Sequence, residues 1–401
     1  MMNKAGMMNK ADDIVKTDWP IAMSGRRSAG AFLAAFAILV APSPLVSQAR
    51  GQAANGNGNG TPGFNFAGDF RLRYEETTKQ EPNGHPGRLD PRHRGVIRFR
   101  AGVARHVGDL FTVNARVATG ARGDPNTTDV TLGDFVDKIE ISLDRVNLEF
   151  KYKDVFFSGG RILNPFVKGQ LVWDDDVHPA GLGWSYTISR SKRVIPKFTG
   201  VYSIVDEATV NPDSYMWGGQ MQVLVHPVPA WTVTLAGGYY DYTIQSLTHT
   251  DSGDTQSNYL TPSRTAYLSD FNLADAVVII DYPMLGERFP LRVVANYVKN
   301  LGARVPEDQG YAFDVFFGRA SAKNDMRYRY GYSLAETDAV LGAFSHDDTT
   351  FATNYRQHSV TFDYMANPNL LLNATSYIYR RDSEPGAEFI FRLRLNATVI
   401  F

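Results

Sequence analysis

The residues with the clearest chemical potential are three adjacent aspartates, Asp174, Asp175 and Asp176, in the stretch LVWDDDVHPAGLG. Neighbouring carboxylates could bind a metal ion, act as catalytic acids, form a solvated turn or line a polar cavity. Calcium takes about 6–8 oxygen ligands, and three adjacent aspartates lack the alternate spacing of the usual calcium loop. A calcium site and a solvated external turn remain alternatives. Which role the aspartates have depends on the structural elements that position them.

Two other groups of residues could do chemistry. Asp124, Asn126 and Asp129 are typical turn residues, with calcium binding as the alternative interpretation. His178 and His358 could pair with a serine in an esterase or protease, but no GxSxG motif surrounds any serine. We therefore expect neither a catalytic site nor a bound metal or cofactor, and an enzyme is kept as the rival class.

Composition excludes several classes of protein. The 401 residues carry a formal net charge of −1, whereas nucleic-acid-binding domains carry a basic excess, so no nucleic-acid partner is expected. The chain has no cysteine, which excludes disulfide scaffolds, zinc–thiolate sites and thiol nucleophiles.

The N-terminal region has the pattern of an export signal. The apolar run 29–41 follows Arg26 and Arg27 and precedes the small-residue stretch Ser47-Gln48-Ala49. We predict a signal peptide over 1–49, with cleavage after Ala49 or alternatively after Ala54, and Met23 as an alternative start. A run of about 13 residues is too short to span a membrane, which needs about 20. Residues 50–65 read as a flexible Gly/Asn linker.

From residue 66 to 401 apolar and polar residues alternate with period two, the pattern of β-strands. We count about sixteen segments, most of 9 to 13 residues, in the range that a tilted membrane strand requires. Short connections such as KD and NPN follow the even-numbered segments, and long ones follow the odd-numbered segments. This regularity predicts an all-β fold, a transmembrane antiparallel β-barrel with both termini on the short-turn, periplasmic side.

The polarity of the two strand faces also favours a barrel over a soluble sandwich. One face carries aromatic residues and the other carries arginines, which a dry core could not hold without partners. Because the last strand must pair with the first, the arginines of segments sixteen, one, two and three form a continuous basic wall on the lumen side. We predict that this wall consists of Arg71, Arg73, Arg94, Arg98, Arg100, Arg116, Arg392 and Arg394.

The final strand carries a further signal. EFIFRLRLNATVIF places Phe391, Leu393 and Leu395 on one face and ends on Phe401. A C-terminal phenylalanine that closes an alternating strand resembles the insertion signal of bacterial outer-membrane barrels, which the barrel-assembly machinery reads. We expect these four residues to serve as that assembly signal.

Several stretches together resemble the bacterial "putative porin" family, over about residues 66–401. They are GDFRLRYE at Gly68, RHRGVIRFRAGV at Arg92, VATGARGDPNTTDVTLGDF at Val117, LDRVNLEFKY at Leu143, GGRILNPFVKGQLVWDDDVHPAGL at Gly159 and AVLGAFSHDD at Ala339. The resemblance implies a water-filled outer-membrane channel for passive diffusion of small hydrophilic or charged solutes and ions. Outer-membrane lipid and lipopolysaccharide would surround it. It identifies no particular solute.

General diffusion porins supply a more distant analogy. Their third loop folds into the barrel and narrows it, which would place Asp174–Asp176 at the constriction, opposite the basic wall, with no cofactor required. Such porins of this size are commonly homotrimers. A structural or adhesin barrel is the remaining alternative, and it would need a plugged lumen.

Overall fold

The computed structural model describes residues 63–80, 90–133, 135, 138–210, 212–228, 230–247, 255, 257–286, 288–346 and 348–401. The predicted signal peptide, its cleavage site and nearly all of the predicted linker lie outside the described residues. Within the described ranges, no helix has the length and apolar character needed to cross a membrane.

Sixteen long strands and one two-residue strand make up the described part of the chain. Their bounds are β1 (Phe64–Gln80), β2 (Asp90–Val107), β3 (Phe111–Thr119), β4 (Val130–Thr131), β5 (Ile141–Tyr152), β6 (Val155–Arg161), β7 (Ala180–Thr187), β8 (Val194–Asp206), β9 (Ser214–Val225), β10 (Thr232–Thr243), β11 (Phe271–Tyr282), β12 (Leu291–Asn300), β13 (Gln309–Gly318), β14 (Met326–Ala335), β15 (Tyr355–Asn367), β16 (Leu370–Arg381) and β17 (Ile390–Ile400).

These strands form one closed antiparallel barrel. Each long strand pairs with its neighbours along the chain, and β1 pairs with both β2 and β17, so the sheet has no free edge among them. The short β4 lies in the β3–β5 connection and pairs with β2. The prediction of an antiparallel barrel of about sixteen strands is confirmed. The first residue of every predicted segment lies within four residues of the first residue of an observed strand.

The two faces of the strands differ as the alternation predicts. On β1, Asp69, Arg73 and Glu75 are buried on the lumen side, whereas Phe70 and Tyr74 are exposed on the outer face. On β17, Arg392 and Arg394 are buried and Phe391 and Leu395 are exposed. An outer face of apolar and aromatic side chains is the arrangement that lipid requires, because the bilayer core cannot solvate charged groups.

Phe401, which follows β17, hydrogen-bonds to β1. The backbone N–H of Gly68 donates to the Phe401 carbonyl at 2.7 Å, and the Phe401 N–H donates back to Gly68 at 3.0 Å. The Phe401 ring lies over Gly68, where any Cβ would collide with it, and stacks on Phe99 at 6.3 Å between centroids. Glycine at position 68 therefore lets the terminal ring pack against the β1–β2 surface.

Candidate functional site

All eight arginines of the predicted wall lie on inward-facing positions of β1, β2, β3 and β17, and most have carboxylate partners. Asp69 pairs with Arg98 at 2.7 Å and with Arg100 at 2.8 Å. Glu75 pairs with Arg94 at 2.6 Å and with Arg394 at 2.7 Å. The wall is therefore a network of ion pairs.

The remaining partners come from connections and from β5. Asp129, in the β3–β5 connection, pairs with Arg71 and, at 2.6 Å, with Arg73. Burial alone would raise the pKa of the Asp129 carboxyl, but the two guanidinium charges hold that pKa below its ordinary value. Asp144 on β5 pairs with Arg116. Within its connection Asp129 is thus an ion-pair partner of the arginines.

The carboxylates of this network could have been found from the sequence. Asp69 and Glu75 have the same parity along β1 as Arg71 and Arg73, so period-two alternation already places all four on one face. The predicted wall includes only the cations of that face. The consequence is that the lumen wall carries less net positive charge than the list of arginines indicates.

The β6–β7 connection, residues 162–179, carries the three aspartates and contacts distant parts of the barrel. Asp176 accepts from Arg100 Nη1 on β2 at 2.9 Å. Phe166 packs edge-on against Tyr240 of β10, with ring centroids 4.9 Å apart, and the Leu171 N–H donates to Asn296 Oδ1 of β12 at 3.1 Å. Strands β10 and β12 each lie seven strands away from β2, in opposite directions around the sheet.

Local sequence explains how this connection is held. Phe166, Leu171, Val172 and Trp173 are all at most 5% exposed. At Gly169 a Cβ would collide with the Asn296 side chain, so only glycine permits this close approach to β12. Apolar residues therefore fix the connection against inward-facing side chains, and the aspartates follow directly after them.

The three aspartates have three different cationic partners. Asp174 pairs with His346 Nδ1 at 3.0 Å, Asp175 pairs with Lys168, and Asp176 pairs with Arg100. Only Asp176 contacts the arginine wall. The Asp175 side chain is 83% exposed, whereas those of Asp174 and Asp176 are 11% and 12% exposed.

Electrostatics separate Asp176 from its neighbours. Burial alone would raise the pKa of the Asp176 carboxyl, but Arg100, Arg98 and a hydrogen bond from Thr128 Oγ1 at 2.9 Å hold it at about 2. The backbone N–H of Asp176 also donates to Asp174 Oδ1 at 2.7 Å. Asp176 is therefore negatively charged at neutral pH.

A second connection contacts the first. Residues 336–346 and 348–354, between β14 and β15, are mostly buried, including Val340, Leu341 and Phe351. Phe344 accepts the Asp174 N–H at 2.9 Å, and Asp348 pairs with Arg394 of β17 at 2.9 Å and accepts from Gln170 at 3.2 Å. Sequence reasoning missed this contact, although the apolar run Ala339–Phe344 inside a long connection was a visible signal.

Within the described ranges, neither of the two candidate catalytic histidines hydrogen-bonds to a serine. His178 Nε2 lies 2.9 Å from Arg116 Nη2, and His358 lies beside Tyr330 and Tyr332 on the outer face. Among the described residues no group of three or more histidine, aspartate or glutamate side chains has the arrangement of a metal site. The geometry thus brings together ion pairs and aromatic contacts at the lumen wall.

Part of the sequence is similar to a known protein family. Residues 87–274 match the model of the family described as "Putative porin". The predicted resemblance to that family is thereby confirmed. The porin match includes β2 to β10 and the β6–β7 connection with its three aspartates. No curated protein matches the chain by sequence.

Solved porin and channel structures share the fold. OprB of Pseudomonas putida is 11% identical, with a TM-score of 0.55 over 85% of this chain and 94% of its own. The outer-membrane channel DcaP of Acinetobacter baumannii is 13% identical, with a TM-score of 0.50 over 84% and 97% of the two chains. A loop-deletion mutant of OmpT, an outer-membrane protein of Vibrio cholerae, gives the same identity and TM-score over 84% and 99%. At these identities the likeness concerns the fold.

Proposed function

We propose that this chain is an outer-membrane porin, a water-filled channel for passive diffusion of small hydrophilic or charged solutes and ions. The observation that carries the proposal is the charged inner face of a closed barrel whose outer face is apolar. A lumen lined by ion pairs solvates polar solutes, while the outer face suits lipid.

The narrowest part of the channel, in this proposal, is formed by residues 162–179. The support is their reach, since they contact β2 through Asp176 and both β10 and β12 through Phe166 and Leu171. A segment that contacts walls seven strands apart in both directions crosses the enclosed space. Asp174, Asp175 and Asp176 then line the constriction.

The arginine wall and the aspartates would set the electrical character of this constriction. Asp175 is exposed, and Arg98 and Arg100 stand beside Asp176, so opposite charges face each other across a short distance. Low-dielectric walls focus the field between such charges and favour polar over apolar solutes. A calcium site at the aspartates is less well supported, because each has its own cationic partner.

Export, assembly and oligomeric state complete the proposal. The signal peptide over 1–49 would direct export, and the outward Phe391, Leu393, Leu395 and Phe401 would present the assembly signal to the barrel-assembly machinery. A homotrimer is the assembly expected by analogy with general porins. The enzyme alternative is disfavoured because no histidine in the described ranges hydrogen-bonds to a serine.

Liposome swelling tests the channel function. Liposomes containing the purified protein should swell in isotonic arabinose and swell more slowly as the sugar grows from arabinose to raffinose. Equal slow swelling in all sugars, at the rate of protein-free liposomes, would contradict the proposal. A heat-modifiability gel on the same sample shows that the barrel is folded.

A further inference from the structure

A cavity of about 120 Å³ lies at the long-connection ends of β6 to β10. Its walls include Arg161 at the end of β6, Trp173 and His178 from the β6–β7 connection, Met216, Tyr242 and Phe344. Cavities of this order hold a single aromatic ring in other proteins. The cavity is separate from the Asp176–Arg100 contact, although the β6–β7 connection contributes to both.

Unsatisfied hydrogen-bonding atoms converge on this cavity. Arg161 Nε and the Tyr242 hydroxyl are buried and have no hydrogen-bond partner within the described part of the chain, whereas Trp173 Nε1 lies by the Tyr240 hydroxyl and His178 Nδ1 by the Val177 carbonyl. Trp173, Tyr242 and His178 are only 2%, 4% and 5% exposed. Buried polar atoms normally have partners, so these two donors on the walls of one cavity are available to a ligand that accepts hydrogen bonds.

The chemistry of these atoms selects an acceptor-rich ligand. Arginine can only donate, so His178 Nε2 must accept from Arg116 Nη2, and the proton of the neutral ring lies on Nδ1. Nδ1 is therefore a donor, and the carbonyl of Val177 lies beside it. Arginine, indole, imidazole and phenol together offer four donors, and no residue that lines the cavity is an aspartate or glutamate.

Arg161 reaches the cavity through a local break in strand alternation. Its partner across the ladder, Val146, faces outward, and regular pairing would turn Arg161 the same way. Gly160 has φ +119°, a conformation that other residues rarely adopt, and a Cβ there would collide with the Val146 backbone. The glycine thus breaks the alternation directly before Arg161.

The other walls of the cavity are aromatic and apolar. The Trp173 ring lies 6.0 Å from that of Tyr242 and 6.4 Å from that of Phe344, centroid to centroid, and Met216 adds a thioether. Aromatic faces and a thioether favour a flat apolar group over a sugar or a bare ion. Charges near His178 are Arg116, Arg145 and Asp144, which gives a positive excess.

We propose that this cavity is a binding subsite for a small carboxylate with an aromatic body, held by Arg161, Tyr242, His178 and Trp173. This inference rests on the proposed channel function and names a solute class for it. The carboxylate group of the ligand accepts hydrogen bonds from Arg161 and Tyr242, and the ring of the ligand lies among Trp173, Phe344 and Met216. A solute of this class then dwells at the subsite before it passes the Asp176–Arg100 constriction.

Tryptophan fluorescence offers a direct test, because Trp173 lines the cavity while Trp184, Trp217 and Trp231 are exposed on the outer face. Changing every tryptophan except Trp173 to phenylalanine leaves one reporter among the five. Phenylacetate should change its emission saturably. Phenylacetamide, which lacks the charge, and acetate, which lacks the ring, should each bind at least about tenfold more weakly.

Five further variants separate the subsite from general charge effects. R161Q should weaken phenylacetate binding about tenfold or more, and Y242F about threefold, since the first removes a charged donor and the second a neutral one. R304Q makes the same charge change at an exposed position of the β12–β13 connection and should change nothing. If R161Q does not fold, R161K replaces it, because lysine keeps the positive charge. R161K should bind phenylacetate more tightly than the double variant Y242F/R161K, which also lacks the Tyr242 hydroxyl.

Two results would overturn the subsite. One is the absence of any saturable response to phenylacetate, and the other is an equal response in R161Q and R304Q. Salt conductance measured on the same preparations keeps the two proposals apart. Normal conductance without binding contradicts only the subsite, whereas absent conductance contradicts the channel itself.

Discussion

Asp174 and His346, 172 positions apart in the sequence, form an ion pair with 3.0 Å between Oδ2 and Nδ1. The pair joins the β6–β7 connection to the β14–β15 connection, and the Phe344 carbonyl accepts the Asp174 N–H beside it. The Trp173 and Phe344 rings, which belong to the same two connections, stack on each other. The two connections therefore hold each other in place.

This contact should depend on pH. Burial alone would lower the pKa of His346, but Asp174 and Asp348 raise it to about 9, above the ordinary value of about 6.5. A raised pKa stabilises the folded contact fully below about pH 6.5, and that stabilisation is lost as pH rises through about 9. We expect open-channel current noise to increase between pH 8 and 10 as the two connections loosen.

The variant H346N provides the control for this pH dependence. It should be noisy already at pH 7, because it leaves Asp174 buried without a charged partner, at a cost of about 1–3 kcal/mol. It should also show no further step near pH 9. A wild-type noise level that stays constant from pH 7 to 10 would show that the pair does not hold the connections.

Surface tags test the orientation of the barrel. Short turns lie at one end, as at Gly108 and Pro368, and the long connections lie at the other. Tags inserted after Arg122 and Arg304, which are 82% and 64% exposed by side chain, should bind antibody on intact cells. Tags at Gly108 and Pro368 should bind only after the outer membrane is opened. Labelling of Pro368 on intact cells would reverse the assignment.

The terminal residue should matter for assembly. Phe401 exchanges two backbone hydrogen bonds with Gly68 and stacks on Phe99. Deleting it should reduce the heat-modifiable barrel in the outer membrane several-fold. F401Y keeps an aromatic ring and should restore most of it. A deletion that assembles as well as the wild type would show that the last strand carries no signal there.

Much of the fold could be predicted because alternation along a strand is a local property. Asp69, Arg71, Arg73 and Glu75 share one face of β1 for that reason alone. The partners of the three aspartates were beyond such reasoning. His346 meets Asp174 only because the β14–β15 connection packs onto the β6–β7 connection, and no period in the sequence encodes which connections meet.

Arg161 illustrates a second limit of pattern reading. Alternation along β6 assigns it to the outer face, yet it lines the cavity because Gly160 takes a positive φ. A glycine signals that such a break is allowed but not that it occurs. The eight predicted arginines lie on inward-facing positions for the opposite reason, since alternation along β1, β2 and β17 is regular at these positions.

Charge substitution tests the constriction. The triple variant D174N/D175N/D176N removes three negative charges and should shift the reversal potential in a salt gradient toward anions, most strongly at low salt. At 4 Å a pair of unit charges interacts by about 1 kcal/mol in water and about 4 kcal/mol at an effective dielectric of 20, so a change of about fivefold in permeability ratio is expected. R98Q/R100Q should shift toward cations. Unchanged potentials in both would place the aspartates outside the conducting path.

Single-channel recording of the wild-type protein in a planar bilayer tests the central claim most directly. We predict discrete upward current steps whose conductance rises with salt concentration, as expected of a water-filled lumen. Folded, heat-modifiable barrel that inserts and gives no current steps at any salt concentration would contradict the claim, and would favour a structural barrel whose lumen the two inner connections close.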